Sequence, residues 1–152
     1  AMPDETHDDG ASPAPPYTLR WYADPTSPMG QDGDPPEGDA RSFPAVLDAV
    51  YAPLRLQGTS AWTASERDAV FVLHSPNKAL GLTGVRGAYA VAPAQGSGDG
   101  EAGYDVAACR RALQAAAPSW PLSAHANAML QAWAMPETQA WVADSHAVLA
   151  GW

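Results

Sequence analysis

At 152 residues and 46% hydrophobic content, the chain is long enough to build one domain around a buried core. Its 17 acidic and eight basic side chains leave a net charge of -9 with no basic stripe, which argues against a nucleic-acid binder. No apolar run approaches the ~20 residues that span a bilayer, and a single cysteine, Cys109, excludes an internal disulfide framework.

The acids are unevenly spread, with nine of the 17 in the first 40 residues beside one base, Arg20. Residues 1–16, rich in Asp, Pro and Ala, read as a solvated, disordered leader. They lack the basic and apolar regions of a secretory signal. The domain is therefore placed at residues 17–152, and the cytoplasm is the expected compartment.

Thr18 to Tyr22 reads as a short strand running into Asp24-Pro25-Thr26-Ser27-Pro28-Met29-Gly30, a Pro- and Gly-punctuated turn. Residues 31–43 hold too much Gly and Pro for a good helix and predict a mobile loop. Ala45 to Asp48 reads as a second strand leading into Ala49-Val50-Tyr51; an Asp at such a strand end ordinarily caps the next turn. A third strand, Phe71-Val72-Leu73, ends in Ser75-Pro76-Asn77-Lys78, and the chain resumes as a strand over Gly87 to Val91.

Lys78 is the only lysine of the chain, and Arg86 follows it by eight residues across a glycine-punctuated turn. An Ala-, Pro- and Gly-rich composition that favours Arg could leave one lysine by accident. An amine at a strand end with a guanidinium nearby also suits a Schiff-base site for a phosphorylated aldehyde.

Gly98-Asp99-Gly100-Glu101-Ala102-Gly103 fits the spacing of a dinucleotide fingerprint, but Asp99 and Glu101 would repel a pyrophosphate. No acid follows at the distance that would hold a ribose, so a linker is the preferred reading. Helices are then expected from about Val106 to Ala116, from about Ser123 to Ala134, and after a Pro136 start. The four histidines and Cys109 show no metal-ligand spacing, and Cys109 reads as a core thiol. The indole of Trp120 reads as packing, and Trp133, Trp141 and Trp152 as core or interface residues.

The segment Ser75-x-x-Lys78-x-x-Gly81-Leu82-x-Gly84-x-Arg86 resembles the cofactor-lysine segment of the class I/II aminotransferases, the fold type I pyridoxal-phosphate enzymes. The wording around Val72 to Lys78 is most similar to the branch of histidinol-phosphate aminotransferase and the threonine-phosphate decarboxylase of cobalamin biosynthesis. The resemblance implies an α/β fold, part of a large domain with a mixed or parallel sheet and flanking helices. It implies pyridoxal 5'-phosphate as cofactor, Lys78 as the Schiff-base residue, and Ser75 and Arg86 on the cofactor phosphate.

Asp48-x-x-Tyr51 resembles the strand end where the family places an aspartate on the pyridine nitrogen and a tyrosine on the ring 3-oxygen. Residues 24–30 resemble the family's Asn-Pro-x-Asn-Pro-Thr-Gly loop, with Asp24 in place of the first asparagine and Ser27 in place of the second. Ser27 is thereby a further candidate for the 3-oxygen, and a plain Pro-containing turn is the other reading. Asn77 stands where many relatives have a second serine.

Enzymes of this family are considerably longer, so the chain is expected to be a piece of one. A segment normally ahead of residue 20 would hold the phosphate at a helix N-terminus. The substrate-gripping arginine of the small domain has no counterpart after Arg111. Two functions follow. The first is Lys78-dependent transamination or decarboxylation of an amino acid or amino-acid phosphate, with a homodimer as the complete enzyme. The second is a truncated, inactive homologue acting as a binding or regulatory partner.

Overall fold

Four short strands form one mixed sheet in the order β1-β2-β3-β4, where β1 is Arg20–Ala23, β2 Ala45–Asp48, β3 Phe71–His74 and β4 Tyr89–Val91. The computed structural model describes residues 19–35, 43–93 and 104–152. The leader at 1–16, the glycine motif at 98–103 and most of the 31–43 loop lie outside them. The first three strands are parallel, with Tyr22 beside Leu47 and Leu47 beside Val72; β4 runs antiparallel to β3, with His74 beside Tyr89.

Burial alternates along β2, as the period of two requires: Ala45 and Leu47 are buried, Val46 and Asp48 half-buried. Ala45, Leu47 and Ala49 join Trp62, Val70 and Val72 in the core of the sheet, with Tyr22 and Ala52 packed against it. Full burial of Leu47 contributes roughly 1.5–3 kcal/mol of this. Tyr22 meets Trp62 edge to face, ring centroids 5.3 Å apart, in the geometry favoured by the aromatic quadrupole.

Between β2 and β3 lies a 3-10 turn, Ala52–Leu54, followed by the one-turn helix α1, Ala64–Arg67. Thr63 and Glu66 close a capping box at the start of α1: the Thr63 hydroxyl accepts from the Glu66 amide and the Glu66 carboxylate accepts from the Thr63 amide. The Thr63 hydroxyl, which also donates to the Glu66 carboxylate, and then the Thr63 amide hold the Glu66 carboxyl below its ordinary range.

Three helices follow β4: α2 at Val106–Ala116, α3 at Ala124–Trp133 and α4 at Pro136–Leu149. Asp105 and Ser123 cap α2 and α3 through their side-chain oxygens, and Pro136 opens α4. Ala126 and Met129 bury one face of α3 against Gly87, where a Cβ would lie 2.9 Å from the Ala126 Cβ. The space for that helix exists because residue 87 has no side chain.

The fold is thus the expected α/β arrangement, a mixed sheet with helices. The packing expectation for Trp120 is corrected, since it is 89% exposed. Trp152 at 95% and Trp141 at more than half exposed are not core, so of the core-or-interface expectation for these two only the interface half stands. Trp120 follows Pro118 outside any helix, where no element covers it. Cys109 is a free, half-buried thiol.

Candidate functional site

Because β1, β2 and β3 are parallel, the loops that leave their carboxyl ends open on one edge of the sheet. In open α/β sheets that edge is where ligand crevices form. The first loop carries Ser27, the second Asp48 and Tyr51, the third Ser75, Lys78 and Arg86. The ladder continues into the loops, with the Asp24 amide donating to the Asp48 carbonyl at 3.1 Å and the Ala49 amide to the Leu73 carbonyl at 3.0 Å.

The third loop is a tight turn built by local sequence. Leu80 donates to the Pro76 carbonyl and Leu82 to the Asn77 carbonyl, and Gly81 takes a φ of 66°, a conformation that costs only glycine nothing. Asn77, nearly buried, donates its side-chain amide to the Val85 carbonyl at 3.3 Å and so closes the turn on itself. That bond accounts for an amide at position 77. Lys78 is half-buried, and its ammonium stands 5.9 Å from the centre of the Tyr51 ring. The second and third loops therefore meet at this pair.

Asp48 lies at the end of β2 and accepts the Val50 amide on Oδ1 at 3.1 Å. This is the turn-capping geometry that a strand-end Asp ordinarily adopts. Its Oδ2 has no hydrogen-bond partner among the described residues, so one oxygen remains for another group. Tyr51 precedes the 3-10 turn and accepts the Leu54 amide through its carbonyl.

Ser75 is buried, and its hydroxyl donates to the Gly87 carbonyl at 2.6 Å. Its proton is thus committed to the backbone, which leaves the oxygen as acceptor. Arg86 is exposed and forms no ion pair among the described residues. The two candidate phosphate ligands are therefore in different surroundings, one inside and one in solvent.

A cleft of about 470 Å³ opens beside the first two loops, lined by Thr26, Ser27, Tyr51 and Arg55 and by Leu149 and Trp152 at the end of α4. The cleft brings Ser27 and Tyr51 together; Asp48, Ser75, Lys78 and Arg86 are not on its walls. The Ser27 loop is turned by Thr26, whose amide and hydroxyl both donate to the Gln31 carbonyl, at 2.8 Å and 3.2 Å.

Behind these loops is a charge cluster that sequence reasoning missed. Asp24 is fully buried and meets Arg55, Arg67, Ser60 and the Gly33 amide. The only signal for it was the aspartate standing where an asparagine was expected, in a chain with few arginines.

His74 stacks on Tyr89, centroids 5.1 Å apart, at the end of β3. Burial, with the Arg67 charge second, holds its imidazole below the ordinary value of 6.5. The folded state then binds fewer protons than the unfolded chain once pH falls below that value, so stability is lost as pH drops from there towards the folded pKa. Above it the histidine makes no pH-dependent contribution. The urea midpoint is expected to fall between about pH 7.5 and pH 5.5, and to fall less in a His74→Phe chain.

Compared with known proteins, the chain matches the family model described as aminotransferase class I and II over residues 39–150, about three quarters of its length. No curated protein and no solved structure matches it.

Proposed function

The chain belongs to the class I and II aminotransferase family, and on that basis we propose that it holds pyridoxal 5'-phosphate at the carboxyl edge of its sheet with Lys78 as the covalent amine. The observation that carries this is the meeting of Lys78 and Tyr51 at 5.9 Å, with Asp48 three residues before Tyr51 at the end of β2, three residue types whose chemistry suits that cofactor. When bound, the cofactor supplies an aldehyde for amines and a ring that accepts electron density.

The roles of the side chains follow from their chemistry. The Oδ2 of Asp48, without a hydrogen-bond partner among the described residues, would favour a protonated pyridine nitrogen, since an opposite charge nearby stabilises the charged form of a base. Tyr51 and Ser27, which line one cleft, would offer hydroxyls to the ring 3-oxygen. Arg86 would offer a guanidinium to the phosphate, and Ser75 would join it on turning its hydroxyl from the Gly87 carbonyl. Lys78 would hold the aldehyde carbon with loss of water and, once a substrate amine had displaced it, its freed amine would take and return a proton at the substrate α-carbon.

The substrate class we infer is an amino acid or amino-acid phosphate, and the branch is the one nearest histidinol-phosphate aminotransferase and threonine-phosphate decarboxylase. Transamination follows when the α-proton is the group set perpendicular to the ring, decarboxylation when the carboxylate is. A homodimer in the cytoplasm completes this reading. Among the described residues no helix is long and apolar enough to cross a membrane.

A second reading, an inactive homologue that serves as a binding or regulatory partner, is favoured by the Ser75 hydroxyl, whose proton already belongs to the Gly87 carbonyl. One experiment separates the two. Incubation with pyridoxal phosphate should give a visible absorption band. Borohydride should abolish the band and leave a mass increment on the peptide containing Lys78. Absence of the band and of the increment would leave the partner role.

A further inference from the structure

Asp24 is 0% exposed at the end of β1, and a buried carboxylate persists only where donors satisfy it. Its Oδ1 accepts the Gly33 amide at 3.2 Å and Arg55 Nη2 at 2.7 Å; its Oδ2 accepts the Ser60 hydroxyl and faces Arg67 Nη2 at 3.6 Å. Arg55 also bonds Asp32 through Nη1, and that bond is the first cause of its raised pKa, against the opposing effect of burial. Two carboxylates and two guanidiniums thus balance in one cluster.

The partners come from both sides of the cleft. Gly33 and Asp32 lie where the Ser27 loop returns to the sheet, and Arg55 follows the turn that begins at Tyr51. Arg55 itself lines the cleft between them. A carboxylate can accept all four donors, whereas an asparagine would turn an amide N–H₂ towards a guanidinium or a hydroxyl. The aspartate is therefore required by its surroundings.

We propose that Asp24 and Arg55 form a clamp that sets the loop of Ser27 against the turn of Tyr51, so that both residues line one cleft. The two are positioning residues that act through the Ser27 and Tyr51 hydroxyls, and the proposal rests on the cofactor reading above.

The test compares Asp24→Asn and Arg55→Lys, the second keeping charge while losing the guanidinium fork. Each is titrated with pyridoxal phosphate in the parent chain and in a Ser27→Ala/Tyr51→Phe chain. Affinity is expected to fall about tenfold in the parent background, a coupling of ordinary size for residues in one network. It should not fall further in the double variant, where nothing is left to position. Hydrogen exchange without cofactor should quicken over residues 25–31 and 50–57 together in both variants, while β3 keeps its protection. An equal loss of affinity in both backgrounds, or no loss in either, overturns the clamp. If the parent chain takes up no cofactor at Lys78, the cofactor reading fails, and exchange confined to one segment or unchanged in both then overturns the clamp by itself.

Discussion

Lys78→Ala is expected to abolish borohydride-fixed labelling by pyridoxal phosphate while the chain melts within a few degrees of its parent. The first half follows from composition. Lys78 is the only lysine, so the terminal amine is the one other primary amine able to react. The second half follows from its surroundings: no salt bridge or hydrogen bond engages its ammonium among the described residues, and its recorded interaction is with the Tyr51 ring at 5.9 Å, near the outer limit for a cation over an aromatic face. Such a contact is worth about 0.5–1 kcal/mol at a partly exposed site, a shift of roughly 1–4 °C for a chain of this size. Lys78→Arg sharpens the result, since it keeps a cation above the ring and lacks a nucleophilic amine. Mass spectrometry after borohydride, beside a thermal melt, reads both halves. Labelling that persists at a site other than the terminal amine would remove Lys78 from the centre of the chemistry.

The same segment explains why this part of the molecule was legible in the sequence. Lys78, Asn77, Gly81 and Val85 are contiguous, and the turn they build closes on its own backbone and side chains, so the local pattern and the local structure coincide. β2 and α2 lie at the residues their apolar spacing and flanking signals predict, Ala45–Asp48 and Val106–Ala116. Helix α1 was not found, because four residues are too few to show a period. The Thr63-x-x-Glu66 box was its visible signal. The direction of β4 was equally hidden, since its three residues are all exposed and carry no alternation from which a register could be read.

The Asp24 cluster was illegible for a different reason. Arg55 and Ser60 lie 31 and 36 residues from Asp24, and no local rule links them. Only once β1 and β2 are paired do their following loops share an edge, and the carboxylate becomes the meeting point of both. What looked like a departure from the family's asparagine is, in the folded chain, the anion that two guanidiniums and a hydroxyl need. Local motifs therefore name the candidate residues, while long-range pairing decides which of them face the same space.

Gly33 is where that long-range packing has its narrowest tolerance, and Gly33→Ala is expected to cost about 3 kcal/mol, a fall of roughly 6–12 °C in Tm. Its φ is not in the left-handed region, so the demand is for room and not for an unusual backbone. A Cβ at this position would lie 1.8 Å from the Ala23 carbonyl oxygen and 2.9 Å from its carbon. Both are backbone atoms at the end of β1, where the ladder to β2 leaves them little freedom to move. The return of the loop would have to shift instead, and with it two bonds made by residue 33: its amide to Asp24 and its carbonyl to the Trp62 indole at 3.0 Å. Trp62 belongs to the core, so the disturbance would reach the packed face of the sheet. Gly84→Ala serves as the control, since a Cβ there meets nothing within 4 Å and φ is not positive. That variant should melt with the parent in a denaturation series that shows the full loss for Gly33→Ala. Equal melting of the two would mean that the loop carrying Ser27 is not seated on the end of β1, and the geometry of the cleft would lose its support.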